Sequence, residues 1–234
     1  MRRDVVVLRT SMKLAVAVLA AGVAVSACGP VRMGAAAIVG NQRISAATLS
    51  AEAANLGAAY RQDQGKTQIS YPASQIPQQA LSWLLRFRIR EAMAVRDHIT
   101  VTPGGAQRAL AALTAQLSQS GRTSLALAAV SSGLPPDLIG ELGRYQAIGN
   151  VLVSRLDGGT APTTTAGQQA LNALLVKSQC QASKALDITI NPQYGVLDYS
   201  QLAVVPGQPT LSAAQLSGAL SPSPSASPQL TPAC

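Results

Sequence analysis

Aromatic side chains are scarce in this sequence. They make up 3% of it, with one Trp (Trp83), one Phe (Phe87) and five Tyr. A core short of large rings must be filled by Ala, Leu and Val, which suits close-packed helices better than a β-sandwich. Charge is scarce too: 12% of residues are Asp, Glu, Lys or Arg, so solubility leans on Gln, Ser, Thr and Asn. The ten acidic residues are scattered, and no glycosidase-type carboxylate pair can be placed among them. The single histidine, His98, sits at a helix end beside Asp97, without the partner that general acid–base catalysis needs. One His and three Cys supply no ligand set at metal-binding spacing. There is no Gly-rich phosphate loop carrying a Lys, since Pro103-Gly104-Gly105 reads as a helix start. No serine stands in a nucleophile elbow. The sequence therefore predicts no catalytic residue, no metal and no cofactor.

Long apolar runs are missing as well. The longest, Leu14 to Val25, falls short of the roughly 20 residues that cross a bilayer. Arg2, Arg3, Arg9 and Lys13 precede it with only Asp4 opposing, and small residues follow, the pattern of a secretory signal peptide. Val25-Ser26-Ala27-Cys28 resembles a bacterial lipobox. That resemblance implies a diacylglyceryl group on Cys28, cleavage between Ala27 and Cys28, and the lipidated Cys as the new N-terminus. The alternative is an ordinary secretory signal with Cys28 incidental to the cut. Two acyl chains make a lasting anchor where one binds only marginally.

Net charge is +8 for the whole chain. Without residues 1–27 it falls to +5, from 14 basic against 9 acidic residues. The remaining excess favours anionic head groups or acidic partners. With so few aromatics and an exported location, it does not point to nucleic acid. If Cys28 is acylated, Cys180 and Cys234 remain, and an oxidising envelope permits a disulfide between them. The alternative has Cys180 as a small buried helix residue and Cys234 as a free end.

Along the chain, a strand is expected near 36–39, a turn at 40–42 and a helix capped by Ser45, with Leu49, Ala53, Leu56 and Tyr60 on one side. Pro77 opens the strongest helix, Gln78 to His98, whose apolar stripe is Leu81, Leu84, Leu85, Ile89, Ala92 and Met93. Arg86, Arg90, Glu91 and Arg96 are expected to face away from that stripe, with the Arg88 stem lying over apolar surface. Trp83 and Phe87, four apart, form a second apolar strip. Thr102 caps a helix reaching about Gln119, a short helix covers 123–131, and a longer one spans Asp137 to Leu156. A Gly, Thr and Pro linker leads to a helix over Ala166 to Ala185. Periodicity then becomes alternating at Leu186-Asp187-Ile188-Thr189-Ile190, a strand, and Val196 to Val205 can hold a short return strand. Beyond Pro206 the chain is low-complexity Pro, Ser and Ala, expected to be disordered.

Four pieces in this order resemble the SurA and PrsA chaperone family. They are the strand and helix entry Ala37 to Leu49, the helix Gln79 to Thr102 with its Ile-Thr-Val-Thr exit, Gly133-Leu134-Pro135-Pro136-Asp137 before a long helix, and Ile188-Thr189-Ile190-Asn191-Pro192-Gln193-Tyr194-Gly195. The resemblance covers about residues 36–199. Full-length relatives carry a parvulin isomerase domain of about 100 residues, where this chain has only the Asp157–Thr165 linker.

The resemblance implies a mainly α, SurA-like helical chaperone core, with a small β-sheet joining the N-terminal and C-terminal strands. The expected organisation is a signal peptide (1–27), a lipid-proximal tether (28–35), a helical domain (36–205) and a disordered tail (206–234). The implied role is a lipid-anchored, non-enzymatic holdase for unfolded exported polypeptides at the outer face of the cell membrane, with Trp83 and Phe87 as candidate client contacts. The alternative for both rings is plain core packing, which the scarcity of aromatics favours. The alternatives are a lipoprotein that docks one folded partner and, least favoured, a prolyl isomerase. Replacing Cys28 with Ser is expected to move the protein from the membrane fraction to the soluble one. Retention in the membrane would remove the lipid anchor from the account.

Overall fold

A computed structural model describes residues 34–119, 124–159 and 163–207. The signal segment, Cys28, most of the tether and the tail from 208 lie outside the described residues. The described residues from Ala35 onward belong to one unit. It is mainly helical with a small antiparallel sheet.

The first element is β1 (Ala35–Val39), followed by β2 (Gln42–Ser45). Gly40, with φ of 57°, makes the tight turn between them. The sequence reading missed β2. Across a two-residue turn Val39 pairs with Gln42, and this register buries Ile44, so pairing overrides the weak strand propensity of Gln-Arg-Ile-Ser. Ser45 then caps α1 (Ala46–Asp63) as expected, its Oγ accepting from the Thr48 N–H at 2.9 Å. Leu49 and Leu56 are the buried residues of its apolar side.

A single 3-10 turn (Ala73–Gln75) leads into α2 (Ile76–Arg96), with Pro77 in its first turn. The helix ends two residues earlier than expected. His98 takes a left-handed φ of 50°, its N–H bonds to the Val95 carbonyl, and the Ile99 N–H reaches back to Ala94. This is a Schellman termination with His in the place usually taken by Gly. It gives the lone histidine a backbone role.

α3 (Pro103–Gln119) starts from Thr102, whose Oγ1 accepts from the Gly105 N–H at 3.1 Å. α4 (Leu125–Ser131) is capped by Ser124. A 3-10 turn at Pro136–Leu138 precedes α5 (Ile139–Leu156). α6 (Thr165–Ala185) is capped by Thr164.

β3 (Ile188–Ile190) pairs antiparallel with β1, Ala37 opposite Ile190 and Val39 opposite Ile188. The sheet order β2-β1-β3 thus ties the two ends of the domain together, as the sequence suggested. The expected return strand does not join it. β4 (Val196–Asp198) and β5 (Ala203–Val205) pair with each other as a separate hairpin.

Two apolar clusters make the core. One gathers the sheet, α1 and the first half of α2 around Leu49, Leu56, Leu81, Leu85 and Phe87. The other gathers the second half of α2, α5, α6 and Leu202 around Ile89, Met93, Ile148 and Ala182. α2 supplies side chains to both, as does α5 with Leu142 in the first and Ile148 and Leu152 in the second.

Two arginine expectations are corrected by this arrangement. Arg90 is 6% exposed rather than outward-facing. Arg86 also turns inward, donating from Nε to the Leu202 carbonyl at 3.1 Å and from Nη2 to that of Gln201 at 3.3 Å. Ser82 works alongside it, its Oγ accepting from the Val204 N–H at 2.8 Å. The β4–β5 hairpin covers α2 on that side and makes its polar side chains interior. Arg88 is exposed.

α3 buries none of its residues fully and lies along α5. The approach is close because α5 offers Gly143, where an added Cβ would stand 2.6 Å from the Ala106 carbonyl oxygen. Gly143→Ala is expected to destabilise the domain by about 1–3 kcal/mol despite its better helix propensity, through overpacking against backbone. Gly140→Ala, where a Cβ meets nothing within 4 Å, is expected to be neutral or stabilising by up to about 1 kcal/mol. Denaturant unfolding of both variants checks the pair.

Candidate functional site

α2 and α5 run in the same direction. Glu91 meets Arg144, Arg90 meets Tyr145, and the Asp97 carbonyl accepts from Arg155 further along. Between them, and reaching Gln42 of β2, lies a groove of about 370 Å³. Its walls are Phe87, Arg88, Glu91, Ala92 and Val95 from α2 and Glu141, Arg144 and Tyr145 from α5. Val95 is 76% exposed, so the groove opens to solvent on that side.

Behind the groove sits a cluster of rings. Trp83 and Phe87 have centroids 5.7 Å apart, and Tyr145 meets both edge-on at 6.1 and 5.6 Å. These are favourable aromatic separations. The indole N–H of Trp83 donates to the Ser132 carbonyl at 3.0 Å. The Arg86 guanidinium lies 5.0 Å from the Trp83 ring centre, and that of Arg90 lies 4.2 Å from the Tyr145 ring while donating to its hydroxyl at 3.0 Å. Burial pulls the pKa of Arg86 below its ordinary value, partly offset by Tyr145. Gly149 makes the space for Arg90, since an added Cβ would stand 2.5 Å from Nη1.

The candidate client contacts are placed differently from one another. Phe87 is buried at 6% exposure and serves chiefly as packing, the alternative that the scarcity of rings favours, while its edge reaches the groove wall. Trp83 is half-buried and lies in the same ring cluster. Tyr145, Arg144 and Glu141 were not singled out by sequence. One signal was available: Trp83, Phe87 and Arg90 are spaced i, i+4, i+7, so Arg90 continues the aromatic strip.

The charges in the groove form two tiers. Glu91 and Arg144 make a two-pronged ion pair at 2.5 and 2.9 Å, and Arg144 also donates to the Val101 carbonyl. One turn earlier on each helix stand Arg88 and Glu141, of reversed sense, and no ion pair joins them among the described residues.

No family model, no curated protein and no solved structure matches this chain.

Other candidate residues contribute elsewhere. Asp97 is held by Arg96 through bonds of 2.7 and 3.0 Å, which keeps its carboxyl below the usual range, so His98 has no free carboxylate beside it. No cluster of three or more metal-ligating side chains occurs among the described residues. Cys180 is buried in α6 and disulfide-bonded. Cys28 and Cys234, the two other cysteines, lie outside the described residues.

Glu52 of α1 is electrostatically linked to the groove. Its Oε2 is buried without a hydrogen-bond partner, and burial, then Asp137, then Glu141 raise its pKa above 4.5. A carboxyl raised on folding favours the fold below its unfolded pKa and loses that contribution as pH climbs through the folded value. Glu52→Gln is therefore expected to be more stable than the parent at neutral pH, with the difference vanishing below about pH 4. Thermal melts across that range check the sign.

Proposed function

We propose that the chain is a membrane-anchored lipoprotein acting as a non-catalytic holdase for unfolded exported polypeptides. The observation that carries this reading is apolar surface left over after the core is filled. Val95 is 76% exposed at the groove, and Leu174 and Val176 on α6 are 49% and 51% exposed. Aliphatic surface of this kind takes up unfolded chains without demanding a sequence. The order of elements that resembles the SurA and PrsA family supports the same reading, as does the lipobox-like Val25-Ser26-Ala27-Cys28.

The lipid on Cys28 would hold the domain at the outer face of the cell membrane. Among the described residues, no helix is long and apolar enough to cross a membrane. With Cys28 acylated, Cys234 is the remaining intramolecular partner for the Cys180 disulfide. Isomerase activity is disfavoured, since α5 ends at Leu156 and α6 begins at Thr165, which leaves no room for a parvulin domain of about 100 residues.

The chain from residue 28 onward, with Cys28 replaced by Ser and no lipid, is expected to slow light-scattering aggregation of a denatured client in proportion to its concentration. Val95→Ser with Leu174→Ser is expected to weaken that effect without loss of the fold by circular dichroism. Absence of any protection at molar excess would remove the holdase reading.

A further inference from the structure

The tier of unpaired charges in the groove points to a more specific ligand than an unfolded chain. Arg88 on α2 and Glu141 on α5 line the same cavity of about 370 Å³, and no ion pair joins them among the described residues. One turn away the reverse pair, Glu91 and Arg144, is closed. The two ends of the open tier also differ in their surroundings. Glu141 acts, with Asp137, on Glu52 outside the groove and raises its pKa. Arg88's neighbours along the wall are Glu91, which is closed on Arg144, and the apolar Ala92 and Val95, with the Phe87 and Tyr145 rings behind.

We propose that this groove is a binding site for a small apolar zwitterion, an amino acid or a short peptide with free ends. Its carboxylate would meet Arg88, its ammonium group Glu141, and its apolar side chain the surface made by Val95, Ala92 and the ring edges. Gln42, at the end of the edge strand, offers an amide to the ligand backbone. A guanidinium takes a carboxylate through paired N–H donors, and charge-assisted bonds are the stronger ones. The volume lies at the small end of the range for ligand pockets and suits one or two residues. The site goes beyond the holdase reading and does not depend on it.

Calorimetric titration of the full chain with phenylalanine, a free-ended alanyl-phenylalanine dipeptide and N-acetyl-phenylalaninamide tests it. Saturable binding is expected for one or both free-ended probes and not for the blocked one. Phenylalanine against the dipeptide separates the two sources of the zwitterion. Arg88→Gln and Glu141→Gln are each expected to weaken the free-ended probe about tenfold, the scale of one charge-assisted bond. 3-Phenylpropionate should lose affinity in Arg88→Gln alone, and phenethylamine in Glu141→Gln alone. Both residues are exposed, so the substitutions are not expected to disturb folding, and a merely structural effect would not split the two probes. Equal or tighter binding of the blocked probe would overturn the proposal in favour of a chain interior. No saturable binding, or affinity unchanged in both variants, would overturn it outright.

Discussion

The structure depends on one helix being covered on several sides. α2 supplies Leu81, Leu85 and Phe87 to one apolar cluster and Ile89 and Met93 to the other, so most of its circumference is interior. A helix in that position gains by partnering its polar side chains, because a buried polar group without a hydrogen bond costs more than the bond itself would contribute; Gln78 Oε1, in its first turn, is buried without a partner. Ser82 and Arg86 are satisfied by the β4–β5 hairpin, through the Val204 N–H and the Leu202 and Gln201 carbonyls. Arg90 is satisfied by Tyr145 and fits because Gly149 brings no side chain. The hairpin, α5 and α2 are thereby held to one another by polar contacts as well as by apolar area.

The groove follows from the same arrangement. The parallel course of α2 and α5 sets equivalent turns opposite each other, which closes Glu91 on Arg144 and leaves Arg88 and Glu141 facing one cavity. With rings so scarce, Trp83, Phe87 and Tyr145 are spent together on one spot. They form a firm backing for the groove instead of a broad apolar patch. A holdase surface therefore has to rest on aliphatic residues such as Val95, Leu174 and Val176. The polar tier of the groove is better suited to a ligand with charges of its own.

Much of the fold was legible in the sequence. Ser45 and Thr102 cap helices because a side-chain oxygen satisfies a first-turn N–H whatever the helix packs on. The Leu81, Leu85, Ile89 and Met93 stripe is buried as its spacing implied. The alternation at Ile188 and Ile190 marks β3, and its pairing with β1 followed from the need of a lone strand for a neighbour. β2 was not legible, since Gln42-Arg43-Ile44-Ser45 becomes a strand only through β1. Of the site, Trp83 and Phe87 are legible as a strip of rings, and the scarcity of aromatics already favours packing over exposure for them. Tyr145, Glu141 and Arg144 lie within the helix that runs to Leu156, and their spacing along it gives no sign of what stands opposite.

By itself the sequence determined the helical character, the caps, the strand at each end of the domain and the absence of motifs for common catalytic chemistries. These are local properties, set by backbone preference and by the period of apolar residues within one element. Only the tertiary structure decided that Arg86 and Arg90 turn inward, that the last two strands form their own hairpin, and that Arg88 and Glu141 share a cavity. Each of those depends on which residues far apart in the chain are brought face to face. The spacing of side chains along a single helix gives their direction, but it carries no information about what will stand opposite.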